Sequence, residues 1–121
     1  MRLLLTEDNP LNQELFTDIL QGDGHEVVLA PDGASALKHA RSEPFDLVLL
    51  DIQLPDIGGD ELCRRLRAAG CSMPILALSA NALPNQVEAA LGAGFDAYVT
   101  KPISPAALRE AVRQYGSGGA G

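Results

Sequence analysis

The chain has 121 residues, 46% of them hydrophobic but only 4% aromatic, and a formal net charge of −7. That length suits a single domain whose core of Leu, Val, Ile and Ala needs no disulfide or metal as a staple. The acidic balance repels nucleic-acid phosphates and anionic lipid surfaces, which argues against nucleic-acid binding and membrane contact by this domain.

Leu3-Leu4-Leu5 is a short apolar run that gives way to Glu7-Asp8-Asn9-Pro10. It is far shorter than the ~20 residues of a membrane helix, and Thr6-Glu7-Asp8 ends it too soon for a signal peptide. The cytoplasm, or the cytoplasmic part of a membrane-bound larger protein, is the expected location. Asn9 is suited to cap a helix and Pro10 to open it. Leu11, Leu15 and Ile19, with Phe16 and Leu20, predict the buried stripe of that helix, which Gly22 and Gly24 stop.

Val27-Val28-Leu29-Ala30 reads as a second strand, followed by the turn Pro31-Asp32-Gly33 and a helix with Ala34, Leu37 and Ala40 inward. Leu47-Val48-Leu49-Leu50 is apolar without alternation, as in a strand buried on both faces, and it ends on Asp51. Asp46, at the other end of that strand, is expected to be structural. Leu62, Cys63 and Leu66 mark the inner face of a third helix, ended by Gly70, with Arg64, Arg65 and Arg67 expected on its solvent face. Cys63 and Cys71 lack metal-ligand spacing and read as small buried or half-buried side chains.

Pro74 to Leu78 gives a fourth strand, with Ser79-Ala80-Asn81-Ala82 as a small polar loop. Pro84, Val87, Ala90 and Leu91 predict a short helix closing at Gly92 or Gly94, and Ala97-Tyr98-Val99 a brief fifth strand before Thr100-Lys101-Pro102. Ser104-Pro105 opens a last helix with Leu108, Ala111, Val112 and Tyr115 inward. Residues 1–115 form the expected domain, and 116–121 read as a flexible Gly/Ser tail. His25 and His39 are expected on the solvated surface.

Strands alternating with helices at this spacing call for an α/β, doubly wound (βα)5 fold of flavodoxin-like type. Its five-stranded parallel sheet takes the order 2-1-3-4-5, with helices on both faces. In that order the carboxyl ends of strands one and three are neighbours, so Glu7, Asp8 and Asp51 converge on one crevice. Clustered carboxylates oppose one another's ionisation, and a divalent cation relieves that cost. Oxygen ligands fit Mg²⁺, or Mn²⁺ in its place, with the Gln53 backbone carbonyl as a further candidate ligand. Ser79 and Lys101 end strands four and five. A metal, a hydroxyl and an ammonium around Asp51 suit a phosphoryl group on that acid.

Glu7-Asp8, Asp51, Ser79 and Lys101-Pro102 stand in the order and spacing of response-regulator receiver domains. The strings Glu7-Asp8-Asn9-x-x-Asn12, Asp51-Ile52-Gln53-Leu54-Pro55 and Thr100-Lys101-Pro102 most resemble the receivers of hybrid sensor histidine kinases, over about residues 2 to 115. The resemblance implies that Asp51 accepts a phosphoryl group from the phosphohistidine of a histidine kinase or histidine phosphotransfer protein. It implies that Glu7, Asp8, Asp51 and the Gln53 carbonyl hold Mg²⁺, and that Ser79 and Lys101 contact the phosphoryl oxygens. The family further implies a cis Lys101–Pro102 bond, a switch in which Ser79 and Tyr98 move, and a responding surface of helix four, strand five and helix five. Gln53 and Asn81 match positions that modulate phosphoryl lifetime.

Two departures stand out: Gly58, where many hybrid-kinase receivers carry an acid, and Thr6, polar where the family is usually aliphatic. The alternatives are a pseudo-receiver that is never phosphorylated, or an aspartate-nucleophile phosphatase. The latter needs a second Asp two residues after the nucleophile, where this chain has Gln53. An FMN carrier of the same fold is opposed by the acids and Pro10 of the first loop, which suit a phosphate poorly. The family implies a signalling domain rather than an enzyme.

Overall fold

In the computed structural model, which describes residues 1–80, 83–101 and 103–116, strands and helices alternate along the chain. They are β1 (Arg2–Thr6), α1 (Pro10–Gly22), β2 (Glu26–Ala30), α2 (Gly33–Ser42), β3 (Leu47–Asp51) and α3 (Gly59–Ala68). After these come β4 (Ile75–Ser79), α4 (Pro84–Ala93), β5 (Ala97–Thr100) and α5 (Pro105–Gly116). The sheet is parallel with order β2-β1-β3-β4-β5. The expectation for Asn81, the cis Lys101–Pro102 bond and the tail from residue 117 onward lie outside the described residues.

Strand alternation divides the core into two layers. Leu3, Leu5, Leu47, Leu49, Leu76 and Leu78 face Phe16, Ile19 and Leu20 of α1 and Leu108 and Val112 of α5. Leu4, Val48, Leu50, Ile75 and Ala77 face Ala36 of α2, Leu62, Cys63 and Leu66 of α3, and Ala90 and Ala93 of α4. Every residue of β3 and β4 is buried, as both-sided coverage of a parallel sheet requires.

The caps follow the local sequence. Asn9 Oδ1 accepts from the N–H groups of Leu11 (2.9 Å) and Asn12 (3.3 Å), with Pro10 opening α1. Asp32 accepts from Ser35 N–H at the start of α2, and the Asp56 carboxylate adds bonds from Gly33 and Ala34 N–H. Two acids therefore satisfy the free amides and positive dipole end of one short helix. Asp46 is structural: its carboxylate accepts from Arg2 N–H at 2.7 Å, at the sheet end opposite Asp51.

Some side chains differ from expectation. Leu11 is 77% exposed and Leu15 46%, so the buried stripe of α1 is Phe16, Ile19 and Leu20. The period was right, but five apolar positions cover more than one face and the sheet takes the C-terminal three. In α2, Gly33 and Ala36 are buried while Ala34 is exposed. His25 and His39 are half-buried and partnered, His25 by the Met1 amino group and His39 by Glu43. Arg67 is no solvent-face residue, as its hydrogen bonds below make plain. Cys63 is buried and Cys71 intermediate, both free, as expected.

Candidate functional site

Strand alternation also sorts the polar residues at the carboxyl edge of the sheet. Continuing β1, β3 and β5 along the face that carries α1 and α5 brings Glu7, Asp51 and Lys101 to one side. Continuing β4 and β5 along the other face places Ser79 and Tyr98 beneath α4.

On the first side, Lys101 Nζ lies 2.8 Å from Asp51 Oδ2 and 3.2 Å from Glu7 Oε2. Asp51 Oδ1 accepts from the Gln53 N–H at 2.9 Å. Glu7 is fully buried and Asp51 nearly so, whereas Asp8 is exposed. Carboxylate oxygens of Glu7, Asp8 and Asp51 lie within 4.8 Å of one another, a set able to hold a metal ion.

Sequence reasoning missed the supports of Glu7. Asn12 Nδ2 donates to its side chain at 2.8 Å, and Gln13 Nε2 donates to its backbone carbonyl at 2.7 Å. Both come from the first turns of α1, so the cap that starts the helix also aims these two amides. Asn12 stood in the motif string with no role; Gln13 gave no signal.

The protonation pattern follows from burial and pairing. Burial above all pushes Glu7 up to about 7, and the hydrogen bond with Asp51 pushes the same way. Burial also opposes ionisation of Asp51, but hydrogen bonds from Glu7, Lys101 and the Gln53 N–H outweigh it and hold this acid below its ordinary value. Lys101 loses solvation too, yet its bond to Asp51 and the nearby negative charge keep its pKa raised. Asp51 therefore carries the negative charge, and Glu7 retains a proton more readily. A hard divalent cation fits this donor set of oxygens and would take over the charge balance to which Lys101 contributes.

On the second side, Ser79 and Tyr98 line one cavity of about 300 Å³ with Ile52, Gln53, Asp60, Asn85, Gln86 and Ala89. Ser79 is buried and Tyr98 half-buried. The two predicted switch residues thus share a space, and the Ser79 carbonyl accepts from the Lys101 N–H at 2.6 Å. A groove of about 340 Å³ also opens beside Lys101, lined by Asn12, Leu15, Phe16, Ala80 and Ile103.

Among the described residues, no helix is long and apolar enough to cross a membrane. Backbone geometry beside Asp51 is tight. A Cβ at Gly59 would lie 2.6 Å from Ile52 Cα and 2.9 Å from the Asp51 carbonyl oxygen, while Gly58 has nothing within 4 Å. Glycine is required at the first position and free at the second.

Known proteins are similar to this chain in sequence and fold. The sensor histidine kinase GacS of Pseudomonas protegens is 37% identical over 119 residues, which cover 94% of this chain but only 13% of that kinase. The chain thus spans about an eighth of such relatives. The polar-differentiation response regulator DivK of Brucella anthropi is 35% identical, with 93% of this chain and 94% of that protein covered. Among solved structures, the receiver domain of sensor histidine kinase PA1611 from Pseudomonas aeruginosa PAO1 superposes with a TM-score of 0.88 at 36% identity, covering 96% of this chain and 97% of that one. That structure has a magnesium ion coordinated in its active-site cleft. The response regulator receiver domain model matches residues 3–113, through every strand and into α5. With its acids and lysine gathered at the carboxyl edge of a 2-1-3-4-5 sheet, the chain belongs to the response regulator receiver domain family of two-component signalling.

Proposed function

We propose that this receiver domain is a phosphoacceptor and that Asp51 is the residue phosphorylated. One observation carries the reading: a buried carboxylate held in its ionised form, 2.8 Å from a lysine and within reach of two further acids. A carboxylate oxygen of Asp51 attacks the phosphorus of a partner's phosphohistidine. The P–N bond breaks as the P–O bond forms, and imidazole departs. Lys101 stabilises charge on the phosphoryl oxygens, and Ser79 supplies a hydroxyl donor from the other side. Glu7, Asp8, Asp51 and the Gln53 carbonyl would hold Mg²⁺ or Mn²⁺, which when bound neutralises phosphoryl charge.

The partner is a histidine kinase or histidine phosphotransfer protein, a reading supported by the kinase relatives. Exposed Leu11 and Leu15 and the neighbouring groove offer an apolar footing for such a protein beside Asp51. Once phosphorylated, the domain shifts a two-state equilibrium through Ser79 and Tyr98, and the surface of α4, β5 and α5 responds. Gln53 and Asn81 set how long the phosphoryl group lasts. This activity belongs to the cytoplasmic side of the cell, whether the domain acts alone or within a kinase.

The test is incubation with Mg²⁺ and acetyl phosphate, followed by intact mass. A gain of one phosphoryl group that requires Mg²⁺ and disappears in Asp51→Asn is expected. No gain, the behaviour of a pseudo-receiver, or a gain that survives the substitution overturns the proposal.

A further inference from the structure

The helix α4 is held very differently at its two ends. At its C-terminal end Gly94 adopts φ 114°, and its N–H closes the helix on the carbonyls of Ala90 and Leu91. The Gly94 carbonyl accepts two hydrogen bonds from Arg67, from Nε at 3.1 Å and Nη2 at 2.8 Å. The same guanidinium donates through Nη1 to the carbonyls of Cys71 (2.9 Å) and Met73 (2.7 Å), and through Nη2 to Asp96 Oδ2 at 2.8 Å. Asp96 Oδ2 also accepts from the Ile75 N–H. One planar group therefore ties α3 and the α3–β4 connection to the end of α4 and the lead into β5.

The fit there is close. A Cβ on Gly94 would lie 3.0 Å from Arg67 Cγ and 3.5 Å from Cys63 Sγ, so both the left-handed backbone and the approach of Arg67 call for glycine. The buried side chains of α4, Ala90 and Ala93, also lie toward this end.

The other end has fewer side-chain ties among the described residues. Leu83, at the N-cap, has no polar side chain to cap the helix, and its carbonyl holds the first turn, accepting from the Gln86 and Val87 N–H groups. Asn85, Gln86 and Ala89 border the cavity of about 300 Å³ shared with Ser79 and Tyr98. These three α4 side chains are exposed, and exposed residues bordering open space rearrange at little cost, whereas freeing Gly94 strips its carbonyl of both bonds from Arg67.

We infer that Arg67 is a positioning residue that pins the C-terminal end of α4, so that rearrangement in the cavity swings the N-terminal half of the helix about Gly94. The trigger rests on the phosphoacceptor reading above; the pin itself does not. A pinned helix moves its free end and changes shape at the surface without disturbing the start of β5.

Amide hydrogen exchange on the full chain tests this, at rest and with Mg²⁺ and beryllofluoride as a phosphoryl mimic. At rest, amides 91 and 94–96 should be at least about tenfold better protected than 86–88. Arg67→Met should erase that difference by exposing the C-terminal group alone, and Arg67→Lys, which retains charge but not the fork of donors, should fall between. Beryllofluoride should alter residues 83–89 of the unsubstituted protein and spread to 96 in Arg67→Met. Should Arg67→Met not fold, the resting gradient and Arg67→Lys still decide. Equal protection at both ends, or a gradient that both substitutions leave within about twofold, overturns the pin. A gradient with no beryllofluoride response anywhere in α4 instead overturns the phosphoacceptor reading, and the swing with it.

Discussion

Lys101 Nζ sits 2.8 Å from Asp51 Oδ2, so the proposed nucleophile and the cation beside it are joined directly while the carboxylate stays ionised. Lys101 acts as counter-ion to Asp51, and on the proposed function it would serve the phosphoryl group once Asp51 is phosphorylated. These two duties respond oppositely to its removal. Lys101→Met should slow phosphorylation by acetyl phosphate on the order of 100-fold, because a charge-stabilising donor is lost. Mg²⁺ affinity should rise about fivefold, because no fixed cation then competes for the acids. Intact-mass kinetics and a Mg²⁺ titration measure the two effects separately; a fall in both contradicts the assignment.

The two adjacent glycines after β3 should behave as opposites. Gly59→Ala forces a Cβ to within 2.6 Å of the Ile52 backbone, which no rotamer change relieves. It should cost about 1–3 kcal/mol and slow phosphorylation by displacing the segment that follows Asp51. Gly58→Ala meets open space at φ −66° and should stay within about 0.5 kcal/mol of the parent. Denaturant unfolding of both variants checks the contrast.

Thr6 now has a physical description. It is fully buried, and its Oγ1 has no hydrogen-bond partner among the described residues. Valine has nearly the same shape without the hydroxyl, so Thr6→Val should stabilise the fold by about 1 kcal/mol. A loss of stability on chemical unfolding would mean that the hydroxyl is satisfied, as by an ordered water.

Asp56 gives a pH dependence away from the acid cluster. The Gly33 N–H is the main cause that holds its carboxyl below the ordinary 3.8, with the Ala34 N–H acting the same way. A depressed folded pKa contributes stability that is present above 3.8 and is lost as pH falls through the lower folded value. The difference in melting temperature between the parent and Asp56→Ala should therefore be largest near neutrality and shrink below pH 3.8. A difference that does not change with pH contradicts the capping role.

These cases also show what could be read from the chain alone. Leu47 to Leu50 declared a strand covered on both faces, and the acid, hydroxyl and lysine at the strand ends follow from a backbone whose period is local. Leu11 and Leu15 misled because helical spacing gives a stripe but does not say where the stripe stops meeting the sheet. Arg67 misled more deeply. Its acceptors are mostly main-chain carbonyls, on Cys71, Met73 and Gly94, and a carbonyl leaves no mark in a sequence. Asn12 and Gln13 were hidden likewise, since an amide near a helix start reads as surface until Glu7 is found buried beneath it.

The central claim is that Asp51 is the phosphoacceptor, and locating the label tests it most directly. The protein is phosphorylated with acetyl phosphate and Mg²⁺, reduced with borohydride to convert an aspartyl phosphate to homoserine, and digested for peptide sequencing by mass spectrometry. The account predicts homoserine at position 51 and no conversion at Asp8 or Asp56. Conversion at another acid, or a phosphoryl group retained on Ser79 with Asp51 intact, would contradict it.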